Sequence, residues 1–256
     1  MLETRDLTIR FGGHVAVDHV SCAFAAGTLT AIVGPNGAGK TTYFNLISGQ
    51  LRASEGRVLL NGDDVTTLSA PLRARKGLGR AFQLTQLFPH LTVQENVRLA
   101  VQAREQGRGH HAIDLWHVWL DRRAWIDEAR SILERVRLLD KADAHASALP
   151  HGDQRKLEVA MLMALDPQVY LFDEPTAGMS VDEVPVVLDL IARLKQDTSK
   201  IILLVEHKMD VVRSLADRII VLHNGQLVAD GSPEEVIASP IVQEAYLGIA
   251  PGKSAA

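Results

Sequence analysis

Gly34-Pro35-Asn36-Gly37-Ala38-Gly39-Lys40-Thr41 is the stretch on which the reading of this 256-residue chain turns. It fits the phosphate-loop pattern G-x-x-x-x-G-K-[ST]. Glycines let successive backbone N–H groups turn inward around phosphate oxygens, where side chains would block them. Lys40 brings a positive charge to the terminal phosphates, and a helix beginning near Lys40 aims its N-terminal dipole at them. Thr41 offers a hydroxyl to Mg²⁺, which prefers octahedral oxygen ligands. A glycine-rich turn can match this pattern by chance. Here the apolar run 29–33 precedes it as a strand and a helical stretch comes after it, which is the context the pattern requires.

Upstream of the loop the chain reads as β: Leu7-Thr8-Ile9-Arg10-Phe11 alternates, Gly12-Gly13 turns, and residues 15–24 resume the alternation. Downstream, residues 58–60 form a strand before the Asn61-Gly62 turn signal. Residues 92–147 read as mostly helical with a polar break at 106–111. After Pro150 the pattern is α/β, with a helix at 156–165, a buried strand at 169–172 and a helix at 184–194. Two more strands come next, at 201–205 and 219–222. Asn224-Gly225 turns the second into a hairpin with residues 227–229. Ser232-Pro233-Glu234-Glu235 has the order of a helix start: N-cap, proline first, acid third. No internal repeat is present, and residues 251–256 are expected to fray.

A second motif lies far downstream. Val169-Tyr170-Leu171-Phe172-Asp173-Glu174-Pro175 is an apolar strand ending in two acids. Buried strands seldom end in adjacent carboxylates without cations or a reaction to serve. Asp173 suits a contact to Mg²⁺ through water, and Glu174 suits a general base orienting an attacking water. The competing reading is a solvated strand end turning at Pro175.

Composition narrows the classes. Apolar residues make up 46% and charged residues 23%, ordinary for a globular protein with a core. Lys plus Arg number 27 against 31 Asp plus Glu, a net charge of −4, which gives no electrostatic reason for nucleic-acid binding. Cys22 is the only cysteine, so intrachain disulfides and cysteine-rich zinc sites are excluded. The longest apolar runs, such as 201–205, fall far short of the roughly 20 residues that span a bilayer. Met1-Leu2-Glu3-Thr4-Arg5-Asp6 is too charged for a signal-peptide core. A soluble chain is the expectation.

With both motifs in this order, the chain resembles the ATP-binding-cassette ATPases over residues 2–248, with 249–256 a flexible tail. The resemblance implies an α/β phosphate-loop ATPase core with an N-terminal antiparallel β-subdomain and a helical subdomain inserted at about residues 88–165. It implies nucleotide contacts at Gly34, Pro35, Asn36, Gly37, Ala38, Gly39, Lys40, Thr41 and Thr42, and at Gly152. It gives Mg²⁺ the partners Thr41, Gln83 and Asp173, and makes Glu174, His207 and Gln83 the catalytic set. Gln83 matches the family glutamine that reaches Mg²⁺ and the attacking water. His207, after a strand, matches the histidine that touches the γ-phosphate. Phe11 matches the aromatic that stacks on adenine, although an aromatic ending a strand is also ordinary core.

Two departures stand out. The family signature Leu-Ser-Gly-Gly-Gln reads here Leu149-Pro150-His151-Gly152-Asp153. Gly152 keeps a backbone N–H for the γ-phosphate, the serine hydroxyl is lost to Pro150, and Asp153 is expected to cap its own helix. Ser180 stands where many members carry aspartate. The expectation is a subunit that pairs with a different ATPase whose signature is intact, or with a second copy of itself.

The segments Val33-Gly34-Pro35-Asn36, Tyr43-Phe44-Asn45-Leu46-Ile47-Ser48-Gly49 and Ala245-Tyr246-Leu247-Gly248 are similar to the ATPases of branched-chain amino-acid importers. Ala177-Gly178-Met179 is also similar to related urea and short-amide importers. That resemblance implies membrane-spanning permease partners, a peripheral place on the cytoplasmic face of the inner or plasma membrane, no nucleic acid and no direct solute contact. Trp116, Trp119 and Trp125 face either a membrane partner or the core of the helical subdomain. His110, His111 and His117 read as a solvated loop rather than a metal site. A non-transport cassette ATPase would carry tandem cassettes, coiled coils or basic arms. A small-molecule kinase would leave Gln83, Glu174 and His207 unexplained.

Overall fold

The computed structural model describes residues 1–81, 87–107, 117–240 and 242. The chain divides into two compact units. One comprises Met1–Leu78, Gln168–Glu174 and Lys195–Ala256, the other Gly79–Pro167 and Pro175–Leu194.

The first unit holds two sheets. β1 (Leu2–Phe11) and β2 (His14–Phe24) pair antiparallel with Leu2 opposite Phe24 and Phe11 opposite His14. β4 (Glu55–Leu60) and β5 (Asp63–Asp64) extend this sheet to the order β2-β1-β4-β5. In the second sheet β3 (Thr28–Val33) lies between β8 (Ile201–Val205) and β9 (Arg218–His223), both parallel to it. β7 (Val169–Asp173) pairs with β8 in parallel, and β10 (Gln226–Gly231) closes an antiparallel hairpin on β9. Every residue of β7 and β8 is buried, as a parallel strand covered on both faces requires. The expected strands and the Asn224-Gly225 hairpin are all present.

α1 (Lys40–Ser48) packs Tyr43, Phe44, Leu46 and Ile47 into the core with Ile32, Leu171 and Val205. Its C-terminus has no basic residue of its own in the last turn. Arg73 on α2 (Ala70–Arg75) supplies the cation, donating from Nη1 to Leu46 O and Ile47 O at 2.6 and 2.7 Å. Its Nη2 reaches Thr66 O at 2.7 Å and its Nε reaches Leu68 O at 3.0 Å. Burial among these neutral carbonyls pulls its pKa down to about 10. α2 and α7 (Met209–Leu215) are short helices beyond those read from periodicity. α8 (Pro233–Ala238) begins with the expected capping box, Ser232 and Glu235 answering each other's backbone N–H.

The chain enters the second unit in β6 (Leu78–Ala81). There α3 (Val93–Gly107), α4 (His117–Arg135) and α5 (His151–Leu165) pack together, and α6 (Val184–Lys195) comes after them. α3 starts on a Thr92–Glu95 capping box. Arg104 ties the three helices: it forks onto both Glu128 carboxylate oxygens at 2.7 and 2.8 Å and reaches Ala164 O at 3.2 Å. Such a bidentate pair fixes direction as well as charge. α5 begins five residues before the expected helix at 156. Trp125 is half-buried in α4, while Trp116, His110 and His111 lie outside the described residues, as do the side chains of His117 and Trp119.

Candidate functional site

Strand register assembles the site. Ile32 is paired with Val205, and Val205 with Asp173, so β3, β8 and β7 end level. The residues just past these strands therefore gather at one carboxyl edge: the loop 34–39 after β3, Glu174 after β7, and Glu206-His207 after β8. β3 has crossover neighbours on both sides, the switch point at which open α/β sheets bind ligands.

The loop's glycines are forced by its path. Gly34 has φ +152°, and a Cβ there would lie 2.1 Å from Leu222 O. Gly39 has φ +96°, and its Cβ would lie 2.4 Å from Ala16 O. Gly37, also at positive φ, faces open space, where a ligand can approach the backbone. Gly39 caps α1 without a side-chain bond, and no acid sits in the first turn, so the positive end of the helix is left for a ligand. Lys40 is buried and donates from Nζ to Gly34 O at 2.7 Å and Pro35 O at 2.9 Å. Burial lowers its pKa, and the negative charges of Glu174 and Asp173 partly offset that. A cation held in a glycine cradle against two carboxylates is matched to a bound polyphosphate.

Asp173 is almost fully buried at the end of β7. Glu174 has φ +49°, a left-handed conformation rare for a residue of its kind, and its N–H donates to Val205 O at 2.9 Å. That backbone turn brings Glu174 Oε1 to 2.7 Å from His207 Nε2, with both side chains partly exposed. A carboxylate and an imidazole so placed can orient a water and hold its proton. The oxygens of Thr41 and Asp173 are donors of the kind Mg²⁺ takes, and Mg²⁺ is usually held by one or two protein oxygens plus substrate phosphates. Consistent with that mode, no group of three His, Cys, Asp or Glu that could hold a metal occurs among the described residues. Gln83 lies outside the described residues. Phe11 is 49% exposed at the end of β1 and so is not core.

The second unit carries the signature segment. Gly152 lies in the first turn of α5, and the N-cap is Pro150, with no side-chain cap bond. This corrects the reading of Asp153 as a cap. Asp153 sits too far inside the helix, and its carboxylate, 4% exposed, is instead taken by Lys141 and by Lys156 at 2.8 Å. Burial alone would raise the Asp153 pKa, but the two lysines outweigh it and hold the carboxyl below its usual range. The negative charge of Asp153 is thus already neutralised.

Sequence reasoning missed Glu183. A Cβ on Gly152 would fall 2.0 Å from Glu183 Oε2, so a larger residue there would have to push that carboxylate aside. Glu183 Oε2 accepts from Ser180 Oγ at 2.9 Å and Ser180 N–H at 3.2 Å, and Oε1 lies 3.8 Å from Lys156 Nζ. The spacing S-x-x-E was the available signal, since it is that of a capping box.

These features define a phosphate-loop nucleotide-binding fold with a carboxylate–imidazole pair at the strand ends. The family model described as ABC transporter matches residues 17–177, and one described as branched-chain amino acid ATP-binding cassette transporter matches 226–250. The high-affinity branched-chain amino acid transport ATP-binding protein LivG of Escherichia coli K12 is 38% identical over 251 residues, covering 97% of this chain and 98% of its own. The corresponding BraF of Pseudomonas aeruginosa matches at the same identity and coverage. The crystal structure of the ADP conformation of MJ1267, an ATP-binding cassette of an ABC transporter, superposes with a TM-score of 0.79 at 29% identity, covering 97% of this chain and 99% of that one. The chain belongs to the ABC transporter family as an ATP-binding cassette, an ATPase coupled to transport.

Proposed function

We propose that this chain is the ATP-hydrolysing subunit of a membrane importer for branched-chain amino acids. The observation that carries hydrolysis is the level ending of β3, β8 and β7, which puts the glycine loop, Asp173 and the Glu174–His207 pair on one edge. The solute is supported by the names of the relatives and by the match over 226–250. The reading takes residues 2–248 as one cassette, with a helical subdomain inserted at about 88–165 and a tail at 249–256.

In this reading the inward N–H groups of residues 34–39, the Lys40 ammonium and the start of α1 at Thr41 and Thr42 hold the phosphates, while Phe11 stacks on adenine. Thr41, Gln83 and Asp173 hold Mg²⁺, which when bound neutralises charge on the β- and γ-phosphates. Glu174 accepts a proton from the attacking water, and His207 keeps the Glu174 carboxylate aimed and touches the γ-phosphate. The products are ADP and inorganic phosphate. Gly152 presents its N–H to the nucleotide of a second cassette, a paralogue or a second copy of this chain. The altered signature favours a paralogue with an intact one.

Closure of the pair drives permease subunits from the cytoplasmic face. No helix among the described residues is long and apolar enough to cross a membrane. The test is uptake of labelled leucine, with labelled urea as control, in cells carrying the native chain or Glu174→Gln. Loss of leucine uptake alone is the expected result. Unchanged uptake of leucine by an expressed, membrane-associated variant would overturn the solute assignment. Fast hydrolysis by a tight ATP-driven homodimer of the purified chain would count against the paralogue.

A further inference from the structure

The first unit contains two Asn-Gly hairpin turns of the same build. Asn61 and Gly62 have φ +53° and +87°, and Asn224 and Gly225 have φ +49° and +78°, so both are two-residue turns with left-handed central positions. Their surroundings differ. A Cβ on Gly62 would meet nothing within 4 Å. A Cβ on Gly225 would lie 2.8 Å from Ala16 O and 3.0 Å from Ala16 C, a separation at which backbone must move.

The β9–β10 turn is pressed against the back of the phosphate loop. In a turn of this type the N–H of the second central residue has no partner within the hairpin. Here the Gly225 N–H donates to Ala38 O inside the loop at 3.1 Å. Gly225 O accepts from Asp18 N–H at 2.8 Å, and Gln226 Nε2 donates to Asp18 Oδ2 at 2.8 Å. Gly39 and Gly225 both approach Ala16 O, and Gly34 is pressed on Leu222 O one strand-end away. The loop therefore has a rear wall made of β2 backbone, the end of β9 and the β9–β10 turn, which meets it at Gly34, Ala38 and Gly39. Turn chemistry alone accounts for Asn-Gly at both places. It does not account for the loop contacts found at only one of them.

We propose that Gly225 is a positioning residue for nucleotide binding: with Asp18 and Gln226 it holds the β9–β10 turn as a rear clamp that keeps the Ala38–Gly39 part of the phosphate loop in its nucleotide-receiving shape. This rests on the phosphate-loop site being the nucleotide site. Binding energy for phosphate depends on backbone N–H groups being aimed before the ligand arrives, so a loosened wall weakens binding without touching any ligand atom.

The experiment measures two quantities on the purified chain: the Kd for a fluorescent ADP analogue with Mg²⁺, and the Tm without nucleotide. Gly225→Ala and Gly62→Ala introduce the same left-handed turn strain, and Gly225→Ala adds the clash with Ala16, so both should lower the nucleotide-free Tm and Gly225→Ala the more. Only Gly225→Ala should weaken nucleotide, by about tenfold or more. Gln226→Ala should raise Kd about threefold with little change in Tm, in line with the loss of one hydrogen bond, and Asp18→Ala should raise it at least as much, since it also removes the Asp18 Oδ1–His19 Nδ1 contact. Asp18→Asn keeps an acceptor for the Gln226 amide and should bind nearly as the native chain does. These milder variants decide the matter if Gly225→Ala does not fold. Equal weakening by the two glycine variants, or native Kd values in Gln226→Ala and Asp18→Ala, would overturn the clamp. A native chain that fails to bind the analogue would overturn the nucleotide site itself and the clamp with it.

Discussion

Two helices in this protein begin beside a glycine, and they are built by opposite means. α1 starts behind Gly39 with no acid in its first turn, so its positive end and the Lys40 ammonium await an anion from outside. α5 starts with Gly152 and Asp153 in its first turn, and brings its own anions: Asp153 between two lysines, and Glu183 packed over the glycine. The first end is shaped by backbone conformation and the second by ion pairs between side chains. Gly39 at α1 is held at positive φ against Ala16 O, and Gly152 at α5 lies against the Glu183 carboxylate. Substitutions near the strand ends should therefore change chemistry more than stability, and those at α5 should do the reverse.

The largest expected effect tests the first half of that contrast. Glu174→Gln should slow phosphate release from Mg-ATP by about 10²–10⁴-fold, the usual worth of a positioned base, while the Kd for ADP and the Tm stay near native. A variant retaining more than a tenth of the rate would remove Glu174 from the chemistry. At α5, Lys156→Met takes one of two lysines from the buried Asp153 and should cost about 2 kcal/mol in urea unfolding, with Lys141 remaining as a partner. The double variant Asp153→Asn/Lys156→Met should recover most of it, because no half-compensated buried charge remains. If the double variant is no better than the single, the ion pairs are not what builds this helix start.

Arg73→Lys is the sharpest attempt to break the contrast, since it places a stability effect behind the phosphate loop. A lysine keeps the charge but cannot fork onto four carbonyls, and about 2 kcal/mol should be lost. ADP binding measured well below the new Tm should barely move. The smallest effect is a pH dependence. The Asp153 pKa is depressed in the fold, so its contribution is present above the unfolded value, about 3.9, and fades as pH falls through the lower folded value. Native and Asp153→Asn stabilities should thus differ at neutral pH and converge in acid. Curves that stay parallel below pH 4 would show that the lysines do not depend on that carboxylate.

The contrast also explains what could be read in advance. The glycine loop, the paired acids after β7 and the histidine after β8 were legible because each is a local pattern tied to a strand end, and the strand pattern itself was plain. Of the partners of Asp153, Lys156 stands at the i,i+3 helix spacing, but Lys141 lies twelve residues away on a separate turn and no spacing rule joins it to Asp153. Arg73 was invisible for a different reason. It reads as an ordinary surface charge, and its four acceptors are main-chain carbonyls, which leave no trace in side-chain identity. Glu183 was within reach through its spacing from Ser180, but its place over Gly152 depends on how α5 and the start of α6 pack.

The left-handed backbone at Glu174 has a consequence for evolution and engineering. A glycine or asparagine would sit at φ +49° with less strain, so a search for stability alone should replace this residue, by about 1 kcal/mol for glycine. A library sorted for thermal tolerance without a demand for turnover should therefore drift at position 174, as at Arg137 and His19, which share the left-handed backbone; a library that must also hydrolyse ATP should hold 174 alone if Glu174 is the base.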